Sequence, residues 1–399
     1  MKIDKATQLQ TECSQGANSL PYQPLFFKIQ GALAFGKDGN LYAGGYFNQA
    51  GEVVVNNIAK WDGTTWNALG SGVVGGVYAL AIDNSGNIYA GGDFYEAGGT
   101  LANDMAKWDG NSWSILGSGM KGENYTYVHA LVIDSSNNIY AGGDFRTADG
   151  IQAKNIAKWT IDKWNALGYG VSSTDNSEYV REIAVDNKGL LYIAGYFKTA
   201  GGIEVNNIAK WDGTTWSALG TGMNGSVDVL ATDKDGNLYA GGYFTKAGGI
   251  AANHIAEWDG TTWNALGNGM DGVTVDALAI DRSGNLYAGG YFTKAGSIAA
   301  NHIAKWDGTT WSALSTGMND TVYALTIDSN NNLYAGGAFT KAGSVEANYI
   351  AKWDGTSWSV LGDGMNHNVS TLVFDKKDNL YAGGSFSTAG GVRVNCISK

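Results

Sequence analysis

The sequence predicts an all-β fold: an eight-bladed β-propeller of four-stranded antiparallel blades, its ring closed by an N-terminal strand that completes the last blade. Three observations predict it. The phrase Leu-Tyr-Ala-Gly-Gly-x-Phe, or a close variant, recurs eight times, with its tyrosine at Tyr42, Tyr89, Tyr140, Tyr192, Tyr239, Tyr287, Tyr334 and Tyr381, 47 to 52 residues apart. A period of that length belongs to supersecondary units stacked on one another. All 14 tryptophans fall into seven Trp-x4-Trp pairs, from Trp61/Trp66 to Trp353/Trp358. Each unit also contains four short apolar runs separated by Asp/Gly turn signals, the content of a propeller blade.

The unit at 77–119 shows the elements in order. Residues 77–82 (Val-Tyr-Ala-Leu-Ala-Ile) read as the first strand, and 83–86 (Asp-Asn-Ser-Gly) as a tight turn with Asp opening it and Gly free to take positive φ. Residues 87–94 are the second strand. A looser Gly/Ala-rich stretch, 95–102, leads to the third strand at 103–108. Asp109-Gly110 is a strong hairpin signal, and 113–117 is the fourth strand. The two tryptophans of each pair flank this last turn. Cross-strand aromatic pairs contribute roughly 0.2–1 kcal/mol each, and their flat area packs blade on blade.

Counting strands exposes a deficit. Strands one to three occur eight times and strand four only seven, because the last unit ends at 395–399 (Asn-Cys-Ile-Ser-Lys). An unpaired edge is a liability, so the missing strand is expected from the N-terminus, with 10–16 laid on the pattern of 66–72. The domain division is accordingly 1–28, closing strand and crossing segment with both prolines, Pro21 and Pro24, and 29–399, the propeller. The two cysteines, Cys13 and Cys396, then fall on neighbouring strands of blade eight, and a ring-closing disulfide is expected.

Composition narrows the function. A net charge of −11 argues against nucleic acid, which needs a basic face. No apolar run is long enough to span a membrane as a helix. The start, Met-Lys-Ile-Asp-Lys, lacks the apolar core of a secretion signal. The paired cysteines favour an extracellular or cell-surface protein, as do, weakly, four Asn-x-Ser/Thr sequons at Asn124, Asn224, Asn319 and Asn368; a cytoplasmic location stays open. A monomer is expected.

Propeller connectivity sends the one-to-two and three-to-four turns to one face and the longer two-to-three and four-to-one connections to the other. Variable loops on a rigid frame carry function. Two four-to-one loops swell, at 121–127 and 172–179, adding Tyr125, Tyr127 and Tyr179. The second residue of the innermost strand does not repeat: it reads Tyr78, His129, Arg181, Asp228, Asp276, Tyr323 and Ser370. These residues are the candidate ligand-binding set around the mouth of the central channel.

Chemical motifs are sparse. Asp233-Lys-Asp-Gly-Asn237 resembles the start of a calcium loop, but position 12 is Phe244 rather than Glu, so it reads as a turn. His129, His254, His302 and His367 lack metal spacing. The repeated Asn before strand three (Asn56, Asn103, Asn206, Asn253, Asn301, Asn348, Asn395) is expected to hold the backbone of the preceding loop. No catalytic residue, metal or cofactor is expected.

The combination of 41–47 (Leu-Tyr-Ala-Gly-Gly-Tyr-Phe), 57–63 (Asn-Ile-Ala-Lys-Trp-Asp-Gly) and 66–70 (Trp-Asn-Ala-Leu-Gly) resembles kelch-like propeller repeats, most closely those of fungal cortical cell-polarity markers and bacterial secreted repeat proteins. Kelch units place a Tyr and then a Trp after the paired glycines, whereas here Phe47 follows them and the tryptophans come as pairs. The resemblance implies surface or interaction roles and no activity. The expected function is a non-enzymatic scaffold that engages a protein partner through the loop-rich face. A multivalent glycan-binding lectin is the alternative, and an enzyme is a distant third.

Overall fold

The computed structural model describes residues 31–123, 125–186, 188–394 and 396–399. Among these, every regular element is a β-strand. Seven four-stranded antiparallel sheets follow one another along the chain, and an eighth has three strands. The first is built from Ala32–Phe35, Leu41–Gly44, Ile58–Trp61 and Trp66–Ala68, paired in chain order. The eighth consists of Val369–Phe374, Leu380–Gly384 and Ile397–Ser398. The closing strand and Cys13 lie outside the described residues. Cys396 is buried at φ 66°, with its amide donating to the Phe386 carbonyl at 2.8 Å.

The core lies between sheets. Tyr42 and Ile58 of the first blade cluster with Val77, Ile88 and Phe94 of the second, and corresponding clusters recur along the chain. The first blade also packs on the eighth: Leu41 and Ala43 share a cluster with Tyr381 and Ile397, and the Phe35 and Tyr381 rings meet edge-on at 5.3 Å. The chain is a β-propeller.

The tryptophans act across blades as well as within them. Trp61 and Trp66 are direct cross-strand partners with ring centroids 5.6 Å apart. The second Trp of each later pair donates its indole N–H to a leucine carbonyl of the preceding blade: Trp113 to Leu69, Trp164 to Leu116, Trp216 to Leu167, Trp263 to Leu219, Trp311 to Leu266 and Trp358 to Leu314, at 2.6–2.9 Å. Trp66 is equally buried, yet among the described residues no acceptor reaches its Nε1. The blade before it is the eighth, for which three strands are described.

The paired glycines are steric requirements. A Cβ on Gly91 would lie 2.6 Å from Cγ1 of Val128 in the next blade, so the first glycine sets how closely blades approach. Blade four has Ala194 at this position. At the second position a Cβ on Gly143 would collide with the Tyr127 carbonyl of its own sheet, and all eight units keep glycine there.

Two local expectations are corrected. The looser stretch between strands two and three is a short antiparallel hairpin in every blade, such as Glu96–Ala97 with Thr100–Leu101. Its two-residue strands are too short to show a periodicity. In three blades a strand from the preceding four-to-one connection joins it, Val73–Val74 pairing with Glu96–Ala97, for example. The repeated Asn holds the loop after strand four, not the preceding one: Asn56 Nδ2 donates to the Ser71 carbonyl at 2.6 Å and Asn253 Nδ2 to that of Asn268 at 2.9 Å. The reason is that the hairpin already satisfies its own backbone, whereas the loop after strand four presents a carbonyl without a ladder partner.

The Asp233 carboxylate serves its turn as expected, accepting from the amides of Asp235 and Asn237 at 2.9 Å. Among the described residues no helix is long and apolar enough to cross a membrane.

Candidate functional site

The innermost strands share a repeated irregularity. In blades two to eight the innermost strand slips register at the residue after its first valine pair; Val77 pairs with Gly92 but Ala79 with Gly91. The same bulge leaves His129, Arg181, Asp228, Asp276, Tyr323 and Ser370 outside the ladder. A bulged residue is re-aimed relative to its neighbours. The position that does not repeat in sequence is therefore the position the fold releases from sheet pairing.

In blades one to four these residues join others into an aromatic arc. Ring centroids run Tyr46 to Tyr78 at 6.1 Å, Tyr78 to Tyr127 at 6.3 Å, Tyr127 stacked on His129 at 5.7 Å, His129 to Tyr179 at 6.4 Å, and Tyr179 to Tyr196 at 6.3 Å. These separations suit tilted and edge-to-face aromatic contacts. The Tyr78 hydroxyl donates to that of Tyr46 at 3.3 Å, which donates to Asp93 Oδ2 at 2.5 Å. Asp93 Oδ1 accepts from the Gly76 amide at 2.6 Å, fixing the carboxylate in place.

Burial dominates the electrostatics here. It raises the Tyr46 phenol to about 12, helped by Asp93, and raises Tyr78 further. Burial and then the Asp93 charge push Asp104 up to about 8. Burial, with the Arg181 guanidinium nearby, pulls the His129 imidazole down to about 3, so the ring is neutral at ordinary pH. Its Nδ1 is inaccessible and has no hydrogen-bond partner among the described residues. Between blades three and four, Arg146 pairs with buried Glu178 at 2.6 Å.

Of the candidate residues, Tyr78, Tyr127, His129 and Tyr179 are brought together, with Arg181 and Asp228 close enough to act on the Tyr179 phenol. Tyr125 is exposed beside Tyr127. Asp276 lies apart from this group, in blade six, where it and Asp320 act on the Tyr323 phenol of blade seven. Sequence reasoning missed Tyr46, Asp93, Asp104, Asp144 and Tyr196. For all of these but Asp104 the signal was present: the variable residue of Gly-Gly-x-Phe reads Tyr46, Asp93, Asp144, Tyr196, Tyr243, Tyr291, Ala338 and Ser385.

Blades five and six carry a different, repeated feature. Tyr243 faces His254 at 6.2 Å and Tyr291 faces His302 at 5.5 Å, each His directing Nδ1 at a glycine carbonyl 3.1 Å away. A cavity of about 490 Å³ adjoins the second pair, lined among others by Asp271, Asn319 and Asp320.

The fold and this face define a β-propeller repeat protein. The family model of the Rax2 C-terminal beta propeller domain matches residues 228–363, about a third of the chain. No curated protein sequence matches the chain. Among solved structures, the extracellular domain of a protein described as a hybrid two component system from B. thetaiotaomicron is similar at 15% identity and TM-score 0.48, over 82% of this chain and 38% of that one. YCF48 bound to D1 peptide is similar at 12% identity and TM-score 0.48, over 82% and 92% of the two chains. The WD40 beta propeller domain of Doa1 is similar at 12% and 0.46, over 82% and 94%. The chain spans 38% and 52% of the two extracellular-domain chains it matches.

Proposed function

We propose that the chain is a non-enzymatic binding propeller that holds a protein partner against the aromatic arc of blades one to four. The observation that carries this reading is asymmetry: in a ring built from near-identical units, one sector of the loop-rich face gathers Tyr46, Tyr78, Tyr127, His129, Tyr179 and Tyr196. Tyrosines supply large contact area at small entropic cost and are enriched at binding hot spots. The Tyr127→Ala variant, with Tyr125→Ala and Tyr179→Ala beside it, is expected to weaken capture of the partner at least tenfold while leaving the circular dichroism unchanged. Undiminished capture by all three variants would contradict the reading.

Glycan binding is the second reading, favoured by the repeated Tyr243/His254 and Tyr291/His302 pairs. It requires equivalent weak sites and multivalent gain, so a glycan array without binding removes it. Kinship with kelch-like repeats and fungal cell-polarity markers, a monomeric state and an extracellular or cell-surface location belong to the same proposal, the first supported by the family match over 228–363.

Closure of the ring by the N-terminal segment, 1–28, belongs here too. Its support is Trp66, the one second-position tryptophan whose indole lacks an acceptor among the described residues. On the 10–16 alignment Cys13 occupies the leucine slot whose carbonyl serves the next tryptophan. A Cys13–Cys396 bridge would enclose nearly the whole chain, and loop-closure entropy gives on the order of 4–5 kcal/mol for it. Alkylation of the denatured chain is expected to modify the two thiols only after reduction. Modification without reductant would contradict the bridge.

A further inference from the structure

Resting on the reading of the arc as a partner site, we infer that the segment it binds is cationic: a Lys or Arg side chain enters among Tyr46, Tyr78 and Tyr127 and is held by the carboxylates of Asp93 and Asp144. The argument is one of charge complementarity on an aromatic floor. Three acids, Asp93, Asp144 and Glu178, serve this sector against Arg146 and Arg181, and a fourth, Asp104, is held largely protonated near neutral pH by burial. Arg146 is already committed, at 2.6 Å to Glu178 and 3.8 Å to Glu123. Among the described residues none of Asp93, Asp104 and Asp144 lies in an ion pair. Asp93 is held by the Gly76 amide and the Tyr46 hydroxyl, so it needs no rearrangement to meet a ligand.

Aromatic faces attract cations through the ring quadrupole, most strongly where water is displaced. Tyr78 lies between Tyr46 and Tyr127, with centroids 6.1 and 6.3 Å away. Asp93, Asp144 and Asp104 all act on the Tyr127 phenol, which places the acids around that ring. Asp104 is raised by burial and then by Asp93; Asp144 is raised by burial, an effect the Arg146 guanidinium opposes and Glu178 and Glu123 add to. A further negative group would meet repulsion there, and a cation would relieve it. Asp104 replaces the Asn found at this slot in blades one, three and four (Asn57, Asn155, Asn207), so the extra acid is specific to this sector.

The test is selection of a displayed random dodecapeptide library on the intact chain, with the Tyr127→Ala variant as counter-selection. The expected result is enrichment of Lys- and Arg-bearing peptides. A selected peptide should lose about tenfold in affinity on Asp93→Asn or Asp144→Asn, and lose more as salt rises. Asn keeps the acceptor for the Gly76 amide, and the second variant guards against a local folding defect in the first. Tyr127-dependent peptides that are acidic or neutral, or affinities indifferent to both variants, would overturn the cationic assignment and leave the arc as a partner site. No Tyr127-dependent peptide at all would remove both.

Discussion

Replacing Trp164 with Ala is expected to cost the fold about 3–5 kcal/mol, the range for removing a buried Trp from a packed core. Trp164 is 1% exposed and the largest of the fully buried side chains. It stacks edge-on with Trp159 at 5.3 Å inside its own blade and donates to the Leu116 carbonyl, 2.9 Å away, in the blade before. The substitution therefore opens a cavity within one sheet, thins the seam between two, and leaves a buried carbonyl unpaired. Against a total stability of roughly 5–15 kcal/mol this is a large fraction. Trp164→Phe keeps most of the apolar area and loses the N–H, so about 1–2 kcal/mol is expected. Urea unfolding followed by near-UV circular dichroism distinguishes the two. Equal losses would mean that the cross-blade hydrogen bond, and not packing, carries the seam.

Asp104→Asn should stabilise the protein increasingly as pH rises. The carboxyl titrates near 3.8 when exposed and is pushed up to about 8 in the fold, chiefly by burial and then by Asp93. Between these values the folded chain binds a proton that the unfolded chain has lost. Stability therefore falls as pH rises from about 4 to about 8, by roughly 1.4 kcal/mol per pH unit, and levels off above 8. The full penalty is on the order of 5 kcal/mol. An amide has no such titration. It can also adopt the slot's own pattern: Asn57 accepts from the Phe47 amide at 2.8 Å and donates to the Val73 carbonyl at 3.1 Å. The stability difference between variant and parent, measured at intervals from pH 5 to 9, is expected to climb and then flatten. A difference independent of pH would show that Asp104 is not carried into the fold as a neutral acid. An acid retained where its sister blades use Asn is a local cost, and such costs gather at functional sites.

The strand plan was legible in the sequence because each strand carries its own signal. The Trp-x4-Trp spacing places two rings in direct register across a two-strand turn, and Trp61 does pair with Trp66. The Asp-x-x-Gly-Asn turns close through the Asp carboxylate as their composition implies; Asp83 Oδ1 accepts from the amides of Ser85 and Asn87. The innermost variable residues were legible as a set, since non-repetition at one slot is visible along the chain. Their company was not. Tyr46 reaches Tyr78 and Asp93 across separations of 32 and 47 residues, which only the register of neighbouring blades defines. The bulge that frees Tyr78 and His129 has no signature in its own residues, since the released position reads differently in each blade and only the pairing register defines it. The short hairpins were hidden for a similar reason: two-residue strands are set by the loops on either side, not by their own pattern.

The most direct test of the account is hydrogen–deuterium exchange of the intact chain with and without a peptide captured as above. The account predicts that protection on binding concentrates at 45–47, 76–78, 93–94 and 125–129, around Tyr46, Tyr78, Asp93 and Tyr127, and extends to Tyr179 on the same arc. Protection confined to the one-to-two and three-to-four turns of the opposite face, or to blades five to seven, would contradict it.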